Sequence, residues 1–207
     1  MTLEQQIAQG IEVLKTGGIV AYPTDTLYGL GADAFNEAAV ARIFEVKRRP
    51  LSMALPLLLA NVSWLERVAL NVSPAAKILA VRFWPGALTL VLHKAPAVTD
   101  IVTAGGRTVA VRVPAHPVPV ALMQGLDNPI IGTSANLSGQ PSPLNASEVL
   151  HQLGNTTDII IDGGPCPGGI ESTIIDATIE PPRLLREGAV SIGQIEKVLN
   201  IRLALSR

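Results

Sequence analysis

The sequence predicts an α/β domain: one twisted, mixed β-sheet with helices packed on it. Three observations carry that expectation. Apolar residues make up 48% of the 207 positions and charged residues only 16%, which supplies a sizeable core and is the reverse of a disordered composition. Short runs of apolar and β-branched residues read as strands, interspersed with longer segments whose apolar residues fall at helical spacing. The two kinds of segment mix without strict alternation, which favours a mixed sheet. Gly and Pro punctuate many short elements and form no linker, so residues 1–207 are expected to make a single domain.

In chain order, Thr2 with Gln5 forms a capping-box pattern ahead of a helix from Leu3 to Leu14, stopped by Gly17 and Gly18. A buried strand from Gly18 to Tyr22 runs into Pro23-Thr-Asp-Thr-Leu-Tyr-Gly-Leu-Gly31, read as a loop. Asn36 caps a helix through Phe44 to Lys47, and Pro50 ends it. Leu55 to Leu59 is a strand, and Ser73-Pro74 opens a helix with proline at its first position. Strands follow at Leu88 to Leu92 and Thr108 to Val113, then a helix near Val118 to Gln124. Pro129 to Gly132 leads a strand into the polar turn Thr133 to Ser142. Asn145 to Leu153 is helical; Ile159 to Asp162, Ser172 to Asp176 and Arg183 to Arg186 are strands. Ser191 with Gln194 caps a last helix to Leu199.

Composition narrows the function classes. With 16 basic and 17 acidic residues the net charge is −1, which argues against a dedicated nucleic-acid coat while leaving a local basic patch open. Aromatics are 3%, too few for a surface that stacks single-stranded bases. Cys166 is the one cysteine, so neither an intramolecular disulfide nor a multi-cysteine metal site can form. No signal peptide is visible, and the run Leu55 to Ala60 is too short to span a bilayer; a cytoplasmic location without membrane contact is expected.

Several chemistries lack their motifs. There is no P-loop and no H-E-x-x-H, and His93, His116 and His151 have no ligand spacing. Gly29-Leu-Gly31-Ala-Asp-Ala34 matches G-x-G-x-x-A, but it lies well beyond the strand end and no acidic residue closes a following strand, so a nicotinamide site is not expected. What remains is cationic and hydroxyl-rich. Lys47-Arg48-Arg49 reads either as a cationic helix terminus or, at the bend before Pro50, as a phosphate clamp. Arg112 sits inside the apolar strand Val109-Ala-Val-Arg-Val-Pro114, where it needs either an internal acid or a substrate carboxylate. Arg186 poses the same question, with Glu187 or another surface acid as the internal choice. Thr133-Ser-Ala-Asn-Leu-Ser138 is either an anion-binding turn or an ordinary one. Gly163-Gly-Pro-Cys-Pro-Gly-Gly169 reads equally as a lid or a plain connector. Three cationic sites and several hydroxyl turns, without a nucleophile or a base pair, suit chemistry in which ATP supplies the leaving group and the protein positions reactants and neutralises charge.

The chain resembles the YrdC-like family of threonylcarbamoyl-AMP synthases, in its short single-domain form. The resemblance rests on Pro23-Thr-Asp-Thr-Leu-Tyr-Gly-Leu-Gly31, Lys47-Arg-Arg-Pro50, Val109-Ala-Val-Arg-Val-Pro114, Thr133-Ser-Ala-Asn-Leu-Ser-Gly139 with Ser142, Glu171-Ser-Thr173 and Leu185-Arg-Glu-Gly188. Each motif is weak alone; six in family order over nearly the whole chain are specific. The resemblance implies a twisted α/β fold with a deep cationic cavity, in which L-threonine, bicarbonate or CO2, and ATP with Mg2+ combine into threonylcarbamoyl-AMP for a downstream tRNA-modifying transferase complex, with at most weak RNA binding. It implies threonine-binding positions at Thr26, Leu58, Arg112, Gly132 and Ser172. It implies ATP-binding positions at Lys47, Arg49, Met53, Thr108, Ser134, Asn136, Ser142 and Arg186, with Lys47, Arg49 and Arg112 carrying the catalysis and no metal ligand from the protein. Many family members have a histidine where this chain has Leu58, a side chain that cannot donate a hydrogen bond. The rival readings are a domain forming carbamoyl adenylate from carbamoyl phosphate, and an RNA-binding module without catalysis.

Overall fold

The structure, a computed structural model, describes residues 1–205. The helices are α1 (Leu3–Lys15), α2 (Glu37–Lys47), α3 (Leu65–Val68), α4 (Pro74–Phe83), α5 (Asp100–Thr103), α6 (Pro117–Leu126), α7 (Ala146–Leu153) and α8 (Ile192–Leu199). The strands are β1 (Val20–Tyr22), β2 (Gly29–Gly31), β3 (Leu57–Leu58), β4 (Ala69–Leu70), β5 (Leu88–Lys94), β6 (Thr108–Arg112), β7 (Ile130–Ile131), β8 (Thr133–Ser134), β9 (Ile159–Ile160), β10 (Thr173–Asp176), β11 (Arg183–Arg186) and β12 (Ala204–Leu205).

The single expected sheet is in fact two. One is four-stranded, in the order β8-β2-β1-β9; the other has the order β12-β11-β10-β5-β6-β3-β7, with β4 paired to β5. Both mix parallel and antiparallel pairs: β9 runs parallel to β1 and β10 to β5, while β1 and β2, β5 and β6, and β3 and β7 are antiparallel. A twisted sheet of this many strands tends to split, and here the split falls at Gly132, between β7 in one sheet and β8 in the other. The N–H of Ile131 still donates to Ala32 O (2.9 Å), while that of Gly132 donates across to Pro56 O (2.8 Å). A Cβ at Gly132 would lie 2.6 Å from Leu58 Cγ, so only glycine lets the chain turn this corner against β3.

The segment Gly29–Gly31, expected as loop, is strand β2. Its two glycines obscure any strand pattern. They are needed because the ring of Tyr22, opposite them on β1, fills the space: a Cβ at either glycine would lie 2.7 Å from a ring carbon. The Tyr22 hydroxyl donates to Ile131 O at 2.9 Å, pinning β1 to β7. The G-x-G pattern is therefore an aromatic cradle and not a dinucleotide turn. Helix starts follow their caps, with the full capping box at both Thr2/Gln5 and Ser191/Gln194. Helix α2 ends at Lys47, three residues before the proline expected to stop it: Arg48 takes the left-handed conformation (φ 49°), and Pro50 disfavours helical geometry at Arg49.

One core cluster runs through both sheets, from Ile19, Tyr28 and Leu30 to Leu57, Leu88, Leu90 and Val111. At its margin Asp158 ties three elements together. Its carboxylate accepts the Ile19 N–H at 2.7 Å and pairs with Arg42 of α2 at 3.0 Å. Burial raises the Asp158 pKa, but the bonds from Arg42 and Ile19 outweigh burial and hold it below its ordinary 3.8. A depressed folded-state pKa means that the contribution is present above the unfolded value and is lost as pH falls through the folded one. Asp158→Asn is expected to lower stability by about 1 kcal/mol at pH 7, with the difference from the parent shrinking as urea-unfolding titrations are taken below the ordinary 3.8.

Candidate active site

Between the two sheets lies a cavity of about 300 Å³. Its floor is one face of the larger sheet, where side chains alternate in and out along each strand. Arg186 of β11, Ile174 of β10, Thr89 of β5, Ala110 and Arg112 of β6 and Leu58 of β3 come together there. The opposite wall is the Thr24–Gly29 segment with Gly132, Thr133 and Ser134. Arg49 and Glu171 complete the rim from two loops.

The Pro23–Leu27 segment is rigid because Thr24 closes it. The Thr24 hydroxyl accepts from the N–H groups of Thr26 and Leu27 (both 3.1 Å), donates to Leu27 O (2.6 Å) and lies 3.0 Å from Thr26 Oγ1. This presents Thr26 to Arg112, whose Nη1 donates to Thr26 Oγ1 at 3.0 Å. Arg112 is 7% exposed, in a strand that is otherwise apolar. It also donates from Nε to Gly86 O (2.8 Å) and pairs through Nη2 with Asp25 at 2.6 Å. The internal acid left open by the sequence is thus Asp25, but the fork is not saturated, because Nη2 has no well-aligned acceptor among the described residues.

Arg186 finds its acid in Glu171, not in the adjacent Glu187, which instead accepts the Ile192 N–H. Arg186 also holds Ser172 O at 2.8 Å from Nη2. The Ser172 hydroxyl lies 2.8 Å from that of Thr89, so β5 and the residue just ahead of β10 offer a matched pair of hydroxyls to the cavity. Arg49 rests on two carbonyls, Met53 O (3.2 Å) and Ala54 O (2.9 Å), which leaves its full charge facing the cavity. Burial lowers its pKa, yet a guanidinium stays protonated.

The Lys47-Arg48-Arg49 cluster divides by function. Arg48 points to solvent, Arg49 to the cavity, and Lys47 is 1% exposed behind the wall. The Lys47 ammonium holds the Thr133–Ser138 turn from below, donating to Ser134 O and to Asn136 O (2.7 Å), with Asn136 Oδ1 at 3.4 Å. Burial, and then Arg49, push its pKa down to about 7. Asn136 likewise spends its amide inside the turn, on Leu137 O and Gln140 O.

Of the residues singled out from the sequence, Thr26, Arg49, Leu58, Arg112, Gly132, Ser134, Ser172 and Arg186 share the wall of this one cavity. Lys47, Asn136, Met53, Thr108 and Ser142 are not in it. Met53 contributes its carbonyl to Arg49; Thr108 lies on the same face of β6 as Ala110 and Arg112 but further along; Ser142 is in the connector to α7. Gly132 spends its N–H on Pro56 O, so it offers the cavity no donor. Leu58 pairs with Arg112 in the β3–β6 register and gives the cavity an apolar wall beside that guanidinium. Sequence reasoning passed over Thr24, Thr89, Glu171 and Asp25. Thr89 had a signal, a lone hydroxyl in the apolar run Leu88-Thr-Leu-Val-Leu92; Asp25 and Glu171 announce themselves only once Arg112 and Arg186 are in place.

Fold and cavity together define a class of protein. It is a mixed α/β domain with a cavity between two sheets, lined by three arginines and several hydroxyl side chains. The chain belongs to the Sua5/YciO/YrdC family, whose model, described as telomere recombination, matches residues 12–188. It is 46% identical to the threonylcarbamoyl-AMP synthases of Pyrococcus abyssi and Bacillus subtilis, covering 94% and 96% of this chain but only 56% and 58% of theirs. It is thus little more than half as long as those relatives. A putative threonylcarbamoyl-AMP synthase of Mycobacterium tuberculosis is 39% identical and covered over 89% of its length. Among solved structures, P. abyssi Sua5 complexed with L-threonine superposes with a TM-score of 0.95 at 44% identity, covering 98% of this chain and 59% of that one. E. coli YciO superposes with a TM-score of 0.83 at 28% identity, covering 93% of both chains.

The link from β11 to the cavity is testable at Gly188. A Cβ there would lie 2.2 Å from Glu171 O and 2.7 Å from the Ser172 carbonyl carbon, both backbone atoms that cannot swing aside. Gly188→Ala is expected to destabilise the protein by about 1–3 kcal/mol in chemical denaturation.

Proposed function

We propose that this chain makes L-threonylcarbamoyladenylate and pyrophosphate from L-threonine, bicarbonate or CO2, and ATP, for threonylcarbamoyladenosine modification of tRNA. The observation that carries the reading is the convergence of Arg49, Arg112 and Arg186 with the hydroxyls of Thr26, Ser134 and Ser172 on one cavity. The likeness to a Sua5 solved with L-threonine supports it.

In this reading Arg112 clamps the threonine carboxylate through its free N–H groups, and Thr26 and Ser172 orient the amine and side chain. Leu58 supplies an apolar contact in place of a hydrogen bond. The amine attacks bicarbonate: an N–C bond forms, water leaves and a carbamate results. A carbamate oxygen then attacks the α-phosphorus of ATP, the bond to the β-phosphate oxygen breaks and pyrophosphate departs. Arg49 and Arg186 neutralise the phosphate charge, and Ser134 contacts the nucleotide. Lys47 and Asn136 act through the turn that presents Ser134. Met53, Thr108 and Ser142 flank the nucleotide outside the wall. Arg186 is released from Glu171 as phosphate arrives.

Mg2+ enters with ATP. Among the described residues no cluster of three or more acidic, histidine or cysteine side chains is placed to hold a metal, and the carboxylate in the cavity wall, Glu171, is taken up by Arg186. The residues present therefore fit an ion coordinated mainly by phosphate and water, which would offset charge on the triphosphate. No helix among the described residues is long and apolar enough to cross a membrane. The reading places the chain in the cytoplasm, handing its adenylate to a tRNA-modifying transferase.

Incubation with ATP, bicarbonate and threonine is expected to yield the adenylate by mass spectrometry, with pyrophosphate release dependent on threonine. Arg112→Ala is expected to lower that release by about 10²–10³-fold or more. Parent-level turnover in this variant, or consumption of carbamoyl phosphate in place of threonine and bicarbonate, would overturn the reading.

A further inference from the structure

We propose that Asp25 is a positioning residue for substrate: it fixes the Arg112 guanidinium so that the N–H groups left over face an incoming carboxylate. This inference rests on the reading of Arg112 as the carboxylate clamp.

The argument starts from donor accounting. A guanidinium has five N–H groups in a rigid fork. Here Nε donates to Gly86 O and one Nη1 hydrogen goes to Thr26 Oγ1. Nη2 lies 2.6 Å from Asp25 Oδ1, close enough for a strong ion pair but not aligned along an N–H, and it has no other acceptor among the described residues. The N–H groups without a matched acceptor are therefore on the two Nη atoms, the pair that a bidentate carboxylate needs.

Asp25 is suited to hold that fork without competing for it. Thr24 and Thr26, on either side of it, line the cavity; Asp25 does not. Its carboxylate also accepts the Ala115 N–H at 3.1 Å, so it is anchored to the backbone just beyond the end of β6, the strand that carries Arg112. The two side chains are 8% and 16% exposed, so the pair is poorly screened by water. Glu171 differs on this point: it stands in the cavity wall with its Arg186 pair, where an arriving anion can replace it. Asp25 stays behind Arg112 whether or not a ligand is bound.

An uncharged asparagine at this position keeps an oxygen for Arg112 Nη2 and for the Ala115 N–H, whereas alanine removes both contacts. Asp25→Ala is therefore expected to raise KM for threonine by about 10-fold or more, with KM for ATP little changed and the melting temperature lowered, because the buried guanidinium loses its carboxylate. Asp25→Asn is expected to stay within about 3-fold of the parent. A second readout needs no substrate: the Arg112 Nε–H resonance in a 15N spectrum is expected to exchange slowly with solvent in the parent and in Asp25→Asn, and fast in Asp25→Ala. The proposal is overturned if Asp25→Ala leaves both KM for threonine and the Nε–H exchange unchanged, if it raises both KM values equally, or if Asp25→Asn is as damaged as Asp25→Ala. Should the parent fail to turn over threonine while the Nε–H responds as described, the proposed function falls and the positioning role stands.

Discussion

A buried guanidinium in an apolar strand organises this molecule. Arg112 sits in the larger sheet between hydrophobic neighbours, where an unpaired charge would cost several kcal/mol. Its partners come from far along the chain: the carbonyl of Gly86, the hydroxyl of Thr26 and the carboxylate of Asp25. Satisfying them brings the Pro23–Leu27 segment over the face of the larger sheet. The cavity is the space left between that segment and the sheet, so the charge that needs neutralising and the site that uses it arise together.

The other cations show the same economy in different forms. Lys47 spends its charge on the carbonyls of a turn and shapes a wall it does not touch. Arg186 is held by an acid that shares the cavity with it, and Arg49 by carbonyls alone. The three arginines in the wall thus carry graded compensation: Arg112 braced from behind, Arg186 paired within the cavity, Arg49 unopposed by a carboxylate among the described residues. That gradation suits the proposed function, in which one small substrate is oriented while a polyanion enters and leaves.

Much of this was legible locally. Helix starts at Thr2, Asn36, Ser73, Asn145 and Ser191 follow from side chains that reach their own backbone a few residues on. Strands β5, β6, β10 and β11 follow from runs of apolar and β-branched residues. Strand β2 was hidden, because its glycines answer to the ring of Tyr22 and not to any preference of their own. The division into two sheets was hidden as well, since nothing local in the Pro129–Ser134 run marks Gly132 as the corner.

The sequence alone determined the α/β fold class, most of the longer helices and strands, and the set Arg49, Arg112, Ser134, Ser172 and Arg186 that lines one cavity, since these depend on short-range spacing and on motifs in a specific order. Only tertiary structure decided which acid meets which arginine, that Lys47 turns inward while Arg49 faces the cavity, and that Thr89 stands beside Ser172. Those pairings join residues far apart in sequence, 87 positions for Arg112 and Asp25. Coulomb attraction acts through space, and separation along the chain carries no trace of it until packing has brought the partners within reach.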